Sequence, residues 1–172
     1  MYDVSNMKRF LLFLLRPIAS PIFSLLQKYQ STHHRLPEWY FFALERTVPI
    51  PAFELLVTKK TNEGEQIFLI KRPADDPTWP SLWHFPGTIQ RYFDTFEDIE
   101  KRWAEELGLR SLPQKPKLLT IRFDEDRGRH AHLLHHLEVS AETEFPTGSF
   151  FPVDDLPNDM ITFEKRQLQE IL

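Results

Sequence analysis

The chain has 172 residues, of which 41% are hydrophobic, so it is long enough and apolar enough to bury a core. Its formal net charge is −4, from 21 basic and 25 acidic residues, which argues against binding to a nucleic-acid backbone. The absence of cysteine excludes disulfides, thiol catalysis and Cys-ligated metal sites, and it is consistent with a reducing, cytoplasmic location.

The N-terminal segment carries cations at positions 8 and 9 followed by an apolar run at 10–15, which Arg16 and Pro17 interrupt. A membrane-spanning helix needs about 20 apolar residues, so we predict instead a helix broken at Pro17 and Pro21. Three roles remain open for residues 8–26: packing on the domain or on a second subunit in a homodimer, weak peripheral contact with a membrane, and targeting.

The predicted elements then follow in chain order. A short helix is expected over residues 35–48, with Pro37 near its start. Residues 53–59 and 66–71 have the composition of strands, and the turn at 61–64 predicts a hairpin between them. A loop rich in Asp, Pro and Trp is predicted at 73–80.

A helix is predicted from Thr95 to Leu107. Thr95 is a suitable N-cap residue, acidic residues follow in the first turn, and Gly108 supplies a C-terminal stop. One apolar stripe runs along this helix, formed by Phe96, Ile99, Trp103 and Leu107.

Two further strands are predicted at 118–123 and 132–139, joined by the charged loop 124–129. A short edge strand at 150–153 and a closing helix at 161–172 complete the chain. This mixed order predicts an α+β domain, which we place at residues 46–172 behind a helical extension at 1–45.

The segment from Trp83 to Gly87, followed by a helix that ends Glu105-Glu106-Leu107-Gly108-Leu109, resembles the Nudix hydrolase family. The family box is G-x5-E-x7-R-E-U-x-E-E-x-G-U, where U is bulky and apolar, and residues 87–109 match its length without a gap. The late segment 151–157 and the final helix are also typical of the family. The resemblance implies an α/β/α sandwich with a mixed sheet.

The box departs from the family pattern at several positions. Phe93 stands where the family has its first Glu, Lys101 replaces the Arg, and Arg102 replaces the Glu that follows it. Thr88 and Gln90 replace a Gly and an acidic residue. In an alternative register, residues 101 and 102 fall on a basic pair and the following Glu is deleted. In either register one metal-binding carboxylate is missing.

The resemblance implies hydrolysis of a nucleoside diphosphate linked to another group, with Mg²⁺ or Mn²⁺ as cofactor. Glu105 and Glu106 would act in catalysis and, with a backbone carbonyl near Gly87, would bind the cation. Arg102 lies one helical turn before Glu106 and can pair with it. Two interpretations stay open: one cation still binds, or Arg102 takes the place of a metal charge and the site binds phosphate weakly or not at all.

Two alternative functions follow from these departures. The first is a catalytically inactive Nudix-fold binding or regulatory module. The second is an enzyme similar to the GDP-sugar hydrolases, which also use a reduced acid set; the loose match lies at residues 36–42 and 47–49.

Other candidates lie outside the box. Glu125, in the acidic loop, is the candidate general base, and its alternative role is a solvated turn. Arg72 and Arg91 are candidates for binding substrate phosphate, and Trp79 for stacking on a base or sugar. Histidines cluster at 130, 132, 135 and 136; they either bind zinc or lie on a half-exposed strand, and we favour the strand.

Overall fold

The computed structural model of the protein describes residues 48–91, 94–124 and 130–171, with shorter runs and single positions between 21 and 43. The chain divides into two compact units, Met1–Ala43 and Leu44–Leu172. Residues 8–20 and most of the helix predicted at 35–48 lie outside the described residues, although Trp39, Tyr40 and Ala43 are helical. No helix in the described part of the chain has the length and apolar content needed to span a bilayer.

The second unit is built around one mixed sheet. Its strands are β1 (Ile50–Thr61), β2 (Gly64–Lys71), β3 (Trp83–His84), β4 (Gly87–Ile89), β5 (Lys117–Asp124), β6 (His130–Val139) and β7 (Ser149–Pro152). The long strand β1 is parallel to β6 on one side. On its other side β1 pairs antiparallel with β4 along its first half and with β2 along its second half. The sheet therefore opens between β2 and β4.

Two helices, α1 (Phe96–Glu106) and α2 (Thr162–Ile171), pack against the sheet. Successive side chains of a strand point to opposite faces, so Leu55 and Leu56 of β1 enter different cores. Leu55 packs in the cluster that contains Trp103 of α1. Leu56 packs in the cluster that contains Leu168 of α2. The two helices thus cover opposite faces, which confirms the predicted α/β/α sandwich.

The predicted ends of α1 are confirmed. Thr95 caps the helix: its side chain accepts a hydrogen bond from Asp98 N, and the Asp98 side chain accepts one from Thr95 N. Gly108 follows the last turn with a φ of 72°, in the left-handed region that glycine adopts without strain. A Cβ on this glycine would lie 2.2 Å from Cγ of Pro146, so a larger residue would also collide.

The structure extends the sheet beyond the predicted strands. β3 and β4, which frame the turn at Phe85 and Pro86, were not predicted because each is only two or three residues long. β1 starts at Ile50 rather than at Phe53, because its first residues pair with both β4 and β6. The box therefore begins on a strand, because Gly87 is the first residue of β4.

Candidate functional site

The two ends of the box meet at Gly87. The peptide nitrogen of Gly87 donates a hydrogen bond of 2.7 Å to Oε2 of Glu106, in the last turn of α1. Across the sheet, Gly87 is paired with Glu54 of β1. A Cβ built on Gly87 would lie 3.6 Å from Cγ of Glu54 and 3.4 Å from the carbonyl oxygen of Phe53, which is ordinary van der Waals contact with β1.

Burial raises the pKa of Glu106 to about 7. The Gly87 N–H and the charges of Arg72 and Arg102 act against this rise, whereas the charge of Glu105 adds to it. Glu105 itself is exposed. A carboxyl with a pKa near neutrality can accept or donate a proton at neutral pH, which is a property of groups that catalyse proton transfer.

Arg102 does not pair with Glu106. Its guanidinium instead binds both carboxylate oxygens of Asp94, at 3.1 and 2.6 Å, and its Nε donates to Oγ1 of Thr88 at 2.9 Å. Thr88 and Arg102, which both depart from the box pattern, are therefore joined by a hydrogen bond between their side chains. The network ties β4 to α1 and neutralises the cation that replaced a carboxylate.

Arg72 and Trp79 lie together, as the substrate-binding hypothesis for them requires. The Arg72 guanidinium stands 5.5 Å from the centroid of the Trp79 ring, and its Nε donates to Asp76 Oδ2 at 2.9 Å. Asp76 also accepts hydrogen bonds from the backbone N–H groups of Thr78 and Trp79, which orders the loop between β2 and β3. Arg72 N donates to the carbonyl oxygen of Leu82 at 3.0 Å, so this loop closes directly before β3 and the turn that leads to Gly87.

Of the two remaining candidates, Arg91 and Glu125, the structure describes only Arg91. Arg91 is exposed on the connection between β4 and α1, where its backbone nitrogen donates to Oδ2 of Asp94 at 2.5 Å. Glu125 and Phe93 lie outside the described residues. The assignment of Arg91 to phosphate and of Glu125 to proton transfer therefore remains a prediction.

Comparisons with known proteins identify the fold. No protein-family model and no curated protein matches the sequence. A MutT/Nudix family protein from Listeria innocua matches with a TM-score of 0.58 at 17% identity, over 73% of this chain and 92% of its own. The Nudix domain of Shewanella oneidensis NrtR, solved in complex with ADP-ribose, matches with a TM-score of 0.56 at 14% identity, over 78% and 96%. A MutT Nudix hydrolase from Burkholderia pseudomallei matches with 0.56 at 20%, over 73% and 98%. The chain has the Nudix fold.

Sequence reasoning missed two carboxyls that reach the same turn of this Nudix fold. Oε1 of Glu54, on β1, forms a hydrogen bond of 2.6 Å with Nδ1 of His132. Glu164 of α2 accepts a hydrogen bond of 2.6 Å from the backbone nitrogen of Phe85. A signal was present in both cases, because Glu54 interrupts an apolar strand and Glu164 falls on the apolar stripe of the closing helix.

The histidine cluster is largely buried, contrary to the expectation of a half-exposed strand. His130, His132 and His135 are all buried, because β6 lies between β1 and β5 and each face is covered by a helix. His135 stacks on Phe53 and packs against Trp103 on the α1 side. In the described ranges no three His, Asp or Glu side chains converge on a point that could hold a metal.

Proposed function

We propose that this Nudix-fold chain hydrolyses a nucleoside diphosphate linked to another group, in a reaction that depends on a divalent cation. The observation that carries the proposal is the contact between Gly87 N and Glu106 Oε2, which holds a partly buried carboxyl at the open gap of the sheet. In the absence of a cation the pKa of Glu106 is raised to about 7, so a cation that binds this carboxyl near neutral pH would displace a proton from it.

The donor set fits one hard cation. Glu106 and Glu105, with the carbonyl oxygen of Gly87, would hold Mg²⁺ or Mn²⁺, which prefer oxygen ligands. Burial disfavours the charged form of the Glu106 carboxyl, and a nearby cation would favour this charged form. When bound, such a cation neutralises diphosphate oxygens and lowers the pKa of a coordinated water.

The remaining steps belong to the protein side chains. Asp76 accepts a hydrogen bond from Nε of Arg72 and so orients the guanidinium, whose terminal nitrogens would bind a substrate phosphate. Trp79 then offers its ring to a base or sugar beside that phosphate. The NrtR Nudix domain, with its bound ADP-ribose, shows that a protein of this fold accepts a nucleoside diphosphate linked to a sugar.

A second function, a binding or regulatory module without catalysis, is favoured by one observation. Arg102 is fixed by Asp94 and Thr88 at a box position where the family has Glu, so the α1 face offers fewer carboxylates to a cation. Such a module would bind the nucleotide through Arg72 and Trp79 without turning it over.

Calorimetric titration of Mg²⁺ and Mn²⁺ into the full chain distinguishes the two functions when it accompanies a chromatographic screen for hydrolysis products. The screen covers nucleotide sugars, including GDP-sugars, dinucleoside polyphosphates and ADP-ribose. The proposed enzyme binds a cation and turns over at least one compound. Nucleotide binding without metal binding and without turnover of any compound would establish the module instead.

A further inference from the structure

Glu54 and Glu164 lie close together beside the turn at Phe85–Gly87, on the α2 side of the sheet. Glu54 is 7% exposed and Glu164 is 5% exposed, so both side chains are buried. Glu54 is the partner of Gly87 across the sheet, and a Cβ built on Gly87 would lie 3.6 Å from Cγ of Glu54. Glu164 is bonded to the backbone nitrogen of Phe85, two residues before Gly87, so both side chains reach the same turn.

Each of these carboxyls has one oxygen fixed by a nitrogen of the protein. His132 Nδ1 lies 2.6 Å from Oε1 of Glu54, and Phe85 N donates to Oε2 of Glu164 at 2.6 Å. The second oxygen of Glu54, Oε2, is buried and has no hydrogen-bond partner among the described residues. Proteins orient metal-binding carboxylates in this way, with one oxygen bonded to the protein and the other directed at the cation.

The arginines near the turn do not compensate these charges. Arg72 forms its ion pair with Asp76, and Arg102 forms its ion pair with Asp94. In the described part of the chain neither Glu54 nor Glu164 has an ion pair with a lysine or arginine, and the one basic side chain in contact with Glu54 is His132. Two buried carboxylates that share one such partner are costly, so the arrangement favours an added positive charge.

We propose that Glu54 and Glu164 bind a divalent cation of their own beside Gly87, in place of the carboxylates that the box lacks at positions 93 and 102. This inference rests on the proposed function, because a cation here serves a diphosphate bound at the same turn. Mg²⁺ is commonly held by one or two carboxylates and several waters, so a pair of carboxyls is sufficient. The competing occupant is a proton shared by the two carboxyls.

Electron paramagnetic resonance of Mn²⁺, titrated into the full chain without substrate, tests the assignment. Glu54→Gln and Glu164→Gln are compared with wild type and with Glu138→Gln, a control on β6 whose side chain is 54% exposed. We expect the first two variants to lose one class of bound Mn²⁺, with affinity lowered roughly 10-fold or more. The control should titrate like wild type. Unchanged Mn²⁺ binding in both site variants overturns the proposal.

Thermal denaturation with and without Mn²⁺ shows whether each variant is folded and whether Mn²⁺ stabilises it. We expect Mn²⁺ to raise the melting temperature of wild type more than that of Glu54→Gln, and Glu54→Asp, which keeps the charge, to recover part of the effect. A proton-sharing pair would give no such difference, and that outcome overturns the inference. Mn²⁺ binding that depends on Glu106 but not on Glu54 or Glu164 overturns it too, while the proposed function survives. Binding that needs Glu54 and Glu164 without any hydrolysis refutes the proposed function alone.

Discussion

The ion pair between Arg102 and Asp94 should stabilise the fold measurably, and Arg102→Met tests this. The guanidinium contacts both oxygens of Asp94, and the two side chains are only 15% and 11% exposed. Removing one partner of a buried pair costs about 3–5 kcal/mol, and the remaining exposure here lowers our expectation to about 2–3 kcal/mol. For a chain of this size, such a loss lowers the melting temperature by about 6–9 °C.

The pH dependence provides a second, independent signature of this pair. Burial alone would raise the pKa of Asp94, but hydrogen bonds from Arg102 and from the Arg91 backbone, with the two guanidinium charges, lower it overall. A carboxyl with a lowered pKa contributes stability above its unfolded pKa of about 4, and this stability is lost as pH falls through the lower folded value. The stability difference between wild type and Asp94→Asn should therefore shrink from pH 7 toward pH 3.

Denaturation followed by circular dichroism measures both effects. Lys101→Met is the matched control, because Lys101 is the residue next to Arg102 on α1. Its side chain is 70% exposed and forms only a surface ion pair with Asp98. We expect this control to stay within about 0.5 kcal/mol of wild type. A melting temperature for Arg102→Met equal to that of the control, or an Asp94→Asn difference that does not change with pH, would refute the reasoning.

Three further predictions concern the box and its surroundings. Gly108→Ala should lower the free energy of unfolding by about 1–3 kcal/mol, because the residue has a φ of 72° and its Cβ would meet Pro146; an unchanged urea midpoint would count against this. Glu106→Gln should stabilise the fold at pH 8 by up to about 3 kcal/mol and have little effect near pH 4. The reason is that the pKa of this carboxyl is raised to about 7 in the folded state, so its ionisation destabilises the fold as pH rises from the unfolded-state pKa to the folded-state pKa. Urea denaturation at pH 4 and pH 8 measures the difference. Arg72→Met should raise KM for the diphosphate substrate roughly 10-fold or more, through loss of charge-assisted hydrogen bonds; a KM equal to that of wild type would exclude Arg72 from phosphate binding.

Features determined by local sequence could be predicted from the chain alone. Thr95 and Gly108 bound α1 as expected, since capping and left-handed glycine depend on a few neighbouring residues. The resemblance of residues 87–109 to the Nudix box likewise indicated the fold, because its Gly, paired Glu and terminal Gly lie within one continuous segment.

Contacts between distant residues could not be predicted in this way. The sequence placed Arg102 one helical turn from Glu106, but the guanidinium binds Asp94, which precedes the helix. Glu54 and Glu164 are far apart in sequence, and only the packing of α2 on the sheet brings them to one turn. Such tertiary contacts override the local preferences from which sequence reasoning starts.

The central claim is that the carboxyl of Glu106 acts in metal-dependent hydrolysis of a nucleoside diphosphate compound. The most direct test measures formation of the nucleotide product by chromatography for wild type and Glu106→Gln, with Mg²⁺ or Mn²⁺ and with chelator, on the compound that wild type turns over fastest. The account predicts that wild type needs the cation and that Glu106→Gln, although folded, is inactive. Cation-dependent turnover retained by Glu106→Gln would contradict the account, because the chemistry would then lie elsewhere in the fold.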